Sequence, residues 1–188
     1  SFKPSRTVNR AHSGQQVRSV HFNPNKPHYV VSGGDDGKVK FWDLRMPSAD
    51  DRAVLVLRGH DHWVTMARYN RFHDQLLCTA GTDGLVKLWR VSSVSSAPLL
   101  DLADADGDVD AGMGGVPSVP ESPLPGASFR EELDDARDGL VSVFDDHHES
   151  VSAVEWSASD AWVFLSLSFP GDVRINHVPS VEKYKILL

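Results

Sequence analysis

Short apolar runs separated by turn residues dominate the chain, and their spacing predicts strands throughout. Tyr29, Val30 and Val31 lead into a Gly/Asp turn, Gly34 to Gly37, and then into a second run, Val39 to Trp42, closed by Asp43. Gly and Asp at such a turn supply the positive-φ tolerance that a tight hairpin needs. The cassette at 32–43, SGGDDGKVKFWD, recurs 47 positions later at 79–90 as TAGTDGLVKLWR. A worn copy, SLSFPGDVRIN at 166–176, begins after 87 more. Around the first copy the pattern predicts strands over 17–23, 29–33, 39–44 and 53–57. Around the second it predicts 63–70, 75–80 and 85–91, with a delayed fourth strand over 139–144. Around the third it predicts 151–157, 162–168 and 172–177, with the apolar YKILL at 184–188 as a final outer strand.

A hairpin ending in Trp-Asp and repeating at about 40–45 residues is the signature of a β-propeller blade. The predicted fold class is therefore all-β, with about three four-stranded blades at 12–58, 60–146 and 147–188. Residues 1–11 read as the outer strand of a preceding blade, around 7–9. The middle strands YVV, LLC and WVFLSL are continuously apolar, which predicts burial on both faces. A propeller closes with about 4–8 blades. Three blades therefore call for completion from the missing part of a longer chain or from a second chain. Ser1 in place of Met fits a fragment or a processed chain.

Charge changes this picture in one place. The net charge is −7, yet residues 99–139 hold eleven acidic and two basic residues, or −9, leaving +2 for the remainder. The segment 97–138, rich in Ser, Pro, Gly and Asp, reads as an acidic insertion. It is expected to be disordered, because such a composition buries too little apolar area to offset its ordering entropy. No dense basic patch suits nucleic acid, and no run approaches the ~20 apolar residues of a membrane span. The single cysteine, Cys78, sits in an apolar run. It reads as a buried hydrophobe in a reducing, cytoplasmic setting.

A His precedes the first strand of each blade: His12, His60 and His147. In the first two blades it is followed by a hydroxyl (Ser32, Thr79), a turn Asp (Asp36, Asp83) and a Trp (Trp42, Trp89). Ser, His and Asp together invite a hydrolase reading. Its repetition points instead to a buried hydrogen-bond network that locks each blade, so no catalytic residue and no enzyme activity are predicted. The third blade has lost its version, with Pro170 at the Asp position and Asn176 at the Trp position. It is expected to be the least rigid. His60-Asp61-His62 and His147-His148 lack partners at structural-zinc spacing. Asp104-x-Asp106-Gly107 fails as a calcium loop, since Leu102 and Met113 stand where ligands are required. No metal or cofactor is predicted. The candidate protein-binding face is the narrower end of the propeller: Gln16, Arg18 and Asp35; Trp63, Thr65 and Thr82; Ser150, Ser152 and Phe169. Trp63 is its candidate hot spot.

The stretches HFNPNKPHYVVSGGDDGKVKFWDLR, HDHWVTMARYNRFHDQLLCTAGTDG and HHESVSAVEWSASDAWVFLSLSFPGDVRINHVP, with the terminal KYKILL, resemble the C-terminal half of a WD-repeat family. Its members interact with the EARP and GARP tethering complexes, and the match covers nearly the whole chain outside the acidic insertion. The resemblance implies a seven-bladed propeller and a non-enzymatic scaffold. It further implies action with vesicle-tethering complexes in endosomal recycling and endosome-to-Golgi transport, with peripheral association to endosomes and the trans-Golgi network. The alternative is a substrate receptor of a cullin-RING ubiquitin ligase. Its basis is Trp42-Asp43-Leu44-Arg45, a match to the WDxR motif in which Trp42, Asp43 and Arg45 would dock the ligase adaptor.

Overall fold

A computed structural model describes residues 7–46, 52–96 and 138–188. Strands β1 (Val17–Phe22), β2 (Tyr29–Gly34), β3 (Lys38–Asp43) and β4 (Leu55–Arg58) form one antiparallel sheet in chain order. Strands β5 (Val64–Tyr69), β6 (Leu76–Gly81), β7 (Val86–Val91) and β8 (Asp138–Phe144) form a second. Strands β9 (Val151–Trp156), β10 (Val163–Ser168) and β11 (Val173–His177) form a third, three-stranded sheet. The order follows from tight turns. Gly37 and Gly84 sit at φ +70° and +80° in the β2–β3 and β6–β7 hairpins, a conformation that penalises a Cβ. The meander of three sheets is that of consecutive propeller blades.

The sheets stack face to face and bury two cores. One lies between the first and second sheets, with Val31, Phe41, Val64, Tyr69, Leu77 and Trp89. The other lies between the second and third, with Leu76, Cys78, Leu88, Val154, Trp156 and Phe164. Strand β6 therefore alternates its side chains between two cores and is buried at every position. Truncating a leucine there to alanine would destabilise by about 2–5 kcal/mol. Strand β10 behaves differently. Leu165 and Leu167 are exposed, because among the described residues no sheet covers their face. On the far side of the first sheet Val17, Val20 and Phe22 are exposed for the same reason.

Three expectations are corrected here. Residues 7–8 form no strand, and 9–14 make a turn, with Ser13 N–H donating to Arg10 O at 2.8 Å. The sharp bend delivers His12 to the interior, and Ala11 O accepts from Lys40 Nζ on β3 instead of from a strand partner. Residues 184–188 are not an outer strand. They end helix α1, Ser180–Leu187, which starts at Pro179 and has Glu182 in its first turn, where the helix dipole favours a carboxylate. Helical spacing puts Glu182 beside Arg90, whose Nε–H donates to Oε1 at 2.7 Å, and turns Ile186 onto the second core. The third sheet thus has no fourth strand among the described residues. The acidic insertion lies outside the described residues except Asp138, which begins β8 opposite Val91. No described helix is long and apolar enough to cross a membrane.

The Arg90–Glu182 pair is nearly buried on both sides, with side-chain exposures of 13% and 4%. Glu182→Ala leaves the guanidinium without its carboxylate. The expected loss is about 3 kcal/mol in urea unfolding followed by circular dichroism.

Candidate functional site

In the first sheet the His12 ring joins β2 to the β2–β3 turn. Its Nδ1 lies 2.6 Å from Asp36 Oδ1 and its Nε2 2.8 Å from Ser32 Oγ, which also receives the Trp42 indole N–H at 2.8 Å. One proton arrangement satisfies every group: Nδ1–H donates to the carboxylate, and the Ser32 hydroxyl donates to Nε2. The second sheet repeats this. His60 Nδ1 is 2.9 Å from Asp83 Oδ2, its Nε2 is 2.8 Å from Thr79 Oγ1, and Trp89 donates to Thr79 Oγ1 at 2.8 Å. Ser32 is only 3% exposed and capped by an indole, so no substrate carbonyl reaches its oxygen. Burial alone would raise the Asp36 carboxyl, but hydrogen bonds from His12 and Lys40 prevail, and its pKa falls below the ordinary 3.8. Asp83 is lowered in the same way: burial opposes, while the His60 hydrogen bond and the backbone amides of Leu85 and Asp61 outweigh it.

Sequence reasoning missed two parts of this network. Lys40 Nζ donates to Ala11 O at 2.7 Å and lies 3.0 Å from Asp36 Oδ2, while Lys87 Nζ donates to Gly59 O. Each lysine thus holds the carbonyl just before a lock histidine, and the shared Lys-x-Trp spacing of 40–42 and 87–89 was the available signal. The other part is a pair of glycines. A Cβ on Gly34 would come within 2.5 Å of the His12 ring, and one on Gly81 within 2.5 Å of His60 Nδ1. In the third sheet Ser168 occupies that position and Pro170 replaces the Asp. Half the lock survives. His147 Nε2 lies 2.7 Å from Ser166 Oγ, and Asn176 Nδ2–H, standing in for the indole, donates to the same oxygen at 3.0 Å. His147 Nδ1 is buried without a partner.

At the turn end of the sheets the inner strands β1, β5 and β9 share an irregularity. Each opposes two residues to one at its start, so Arg18, Thr65 and Ser152 fall on β-bulges. A bulge re-aims its side chain out of the sheet alternation. These three, with Gln16, Trp63, Thr82, Ser150 and Phe169, line a concavity of about 530 Å³ that spans all three sheets. Asp35 stands behind it, accepting from Arg18 Nη2 at 3.1 Å and from Arg18 Nε. The Arg18 guanidinium lies 4.3 Å from the Trp63 ring centroid, and the His62 ring packs 4.8 Å away. Trp63 is 40% and Phe169 82% exposed. The groove wall is tied between sheets by Thr65 Oγ1, which donates to Val151 O at 2.7 Å, and by Ser150 Oγ, which donates to Thr82 O at 3.2 Å.

The remaining candidates are dispersed. Trp42 is buried in the lock and Asp43 is nearly buried, while the Arg45 side chain is 61% exposed and donates from Nη2 to Asp43 Oδ2 at 2.7 Å. That hydrogen bond holds the Asp43 carboxyl down at a pKa of about 2. Cys78 is fully buried, which pushes its thiol pKa up and its reactivity down. Among the described residues no three His, Cys, Asp or Glu side chains converge as metal ligands. At the opposite end, Asn23 and Asn70 cap the turns after β1 and β5. They also donate to connections of the neighbouring sheets, at Val94 O after β7 (3.3 Å) and Ala161 O between β9 and β10 (2.6 Å).

Two expectations follow for the locks. Both carboxyls titrate below 3.8 when folded, so their stabilisation is present above that value and is lost as the pH falls through the folded pKa. An Asp36→Asn, Asp83→Asn chain should be less stable near neutrality and decline less steeply between about pH 5 and pH 2, read by urea titration. An unchanged slope would exclude these carboxylates. Conversely, Ser168→Gly with Pro170→Asp rebuilds the third lock around His147 Nδ1. It should raise stability by about 1–2 kcal/mol.

Residues 2–89 match the family described as EIPR1 beta-propeller. The EARP-interacting protein homolog of Gekko japonicus is 42% identical over 96% of this chain and 43% of its own length. The EARP and GARP complex-interacting protein 1 of Rattus norvegicus is 43% identical over 96% of this chain and 42% of its own. The WD repeat-containing protein DWA2 of Arabidopsis thaliana is 29% identical over 95% of this chain and 41% of its own. The chain thus spans less than half the length of the relatives it matches. It is a WD-repeat β-propeller chain that resembles the EARP- and GARP-complex-interacting proteins.

Proposed function

We propose that this chain is a non-enzymatic scaffold that acts with vesicle-tethering complexes in endosomal recycling and endosome-to-Golgi transport. Its setting is cytoplasmic, peripheral to endosomes and the trans-Golgi network. The observation that carries this reading is the groove across three sheets, with two solvent-facing aromatics, on a chain whose relatives bear the name of EARP and GARP partners. Aromatic anchors in a concave, water-excluding surface are what protein interfaces use as hot spots. Affinity purification from cells should recover tether subunits with the wild type. Trp63→Ala or Phe169→Ala should reduce recovery about tenfold or more without lowering the melting temperature. Repeated recovery of none by the wild type would overturn the reading.

The remaining blades of a seven-bladed propeller complete this unit, as more of a longer chain or as a second chain. They cover the apolar faces at Val20 and Phe22 and at Leu165 and Leu167 and extend the open edge of β11. By sedimentation the 188 residues alone should run above 20.7 kDa or bind a hydrophobic dye. A dye-silent monomer would count against completion.

The exposure of Arg45 favours one second reading, docking to a ligase adaptor at the Trp42-Asp43-Leu44-Arg45 motif, with Arg45 making the contact because Trp42 and Asp43 are buried. Arg45→Ala should then abolish adaptor capture. Equal capture by the variant, or none by the wild type, disposes of it.

A further inference from the structure

The groove already holds a ligand of its own making. The Arg18 guanidinium is forked onto the Asp35 carboxylate and stacked on the Trp63 ring at 4.3 Å. A carboxylate and an aromatic face meeting at one point select a planar or compact cation over any other side chain. Nothing in the sheet requires Arg18 to supply that cation. It is the bulged residue of β1, outside the ladder pairs that flank it, Val17 with Gly34 and Ser19 with Gly33. Its side chain can therefore swing away without breaking a strand hydrogen bond.

We infer that Trp63 and Asp35 form a receptor for a cationic side chain, that Arg18 is its built-in occupant, and that the partner docks through a basic segment. This rests on the protein-binding reading of the groove and names the chemistry of what fills it. When a partner arginine or lysine takes the place of Arg18, Asp35 stays paired and Trp63 stays covered, so the exchange leaves no buried charge orphaned. An acidic partner would instead bring a second carboxylate to the guanidinium that Asp35 already holds, so two like charges would share one cation. Besides Trp63, Ser152 and Phe169 line the same concavity, so a partner's contacts there extend beyond one side chain.

The test uses the propeller complete with its remaining blades and two fluorescent peptides of equal length, one Arg/Lys-rich and one with glutamate at the same positions, followed by anisotropy. The basic peptide should bind and weaken with salt. Arg18→Ala removes the internal competitor and should tighten it several-fold. Trp63→Phe and the isosteric Asp35→Asn should each weaken it about tenfold, with unchanged melting by circular dichroism. Preference for the acidic peptide, weaker binding by Arg18→Ala, indifference to both Trp63→Phe and Asp35→Asn, or no binding of either peptide would overturn the inference. Recovery of tether subunits from cells separates the two claims. Subunits recovered without basic-peptide binding sink only the receptor, and peptide binding without subunits sinks only the tethering role.

Discussion

Both faces of the sheet β5–β8 are apolar, and the arrangement of the molecule follows from what covers them. Leu77 and Trp89 need the first sheet, while Cys78 and Leu88 need the third. A sheet with two greasy faces is not stable in water by itself, so stacking is compulsory and the direction of stacking is fixed by chain order. The polar contacts between sheets ride on this. Asn23 and Asn70 at one end and Thr65 and Ser150 at the other donate across junctions that apolar burial has already closed.

Within each sheet the imidazole lock converts a loosely pinned hairpin into a fixed one. The ring of His12 or His60 is clamped by a carboxylate and a hydroxyl, packed on a glycine, and held from behind by a lysine on the preceding carbonyl. The geometry of a Ser–His–Asp triad is met, yet the hydroxyl is buried under an indole, so the same three groups that act as a nucleophile elsewhere act here as a brace. The third sheet shows which part is dispensable. Its hydroxyl and imidazole remain and an amide replaces the indole, but the carboxylate and the glycine have gone together. The imidazole keeps its hydroxyl partner even with Ser168 at the glycine position, so the carboxylate's hold on Nδ1 is what this sheet lacks.

The strands, the hairpins and the two locks were legible in the sequence because they are local. Each depends on a turn type, a two-residue period and a histidine at a repeated offset, as in 32–43 and 79–90. The groove residues were legible as positions, at strand starts and before turn aspartates, because repeats place equivalent residues at equivalent heights. The chain alone thus determined an all-β repeat, its blade order and the network built on His12 and His60.

Tertiary structure decided the rest, wherever an outcome hangs on a distant partner. YKILL reads as a strand by composition and β11 leaves an edge for one, but Arg90 offers Glu182 a buried partner at helical spacing and the segment continues that helix. Leu165 and Leu167 read as core, but burial needs a neighbouring sheet. The bulges at Arg18, Thr65 and Ser152 come from register between two strands, which no single strand encodes. Sequence named Arg18, Asp35 and Trp63 as neighbours on a face. Only the fold brought a cation, a carboxylate and an indole within contact, because residues far apart in the chain meet where adjacent sheets converge.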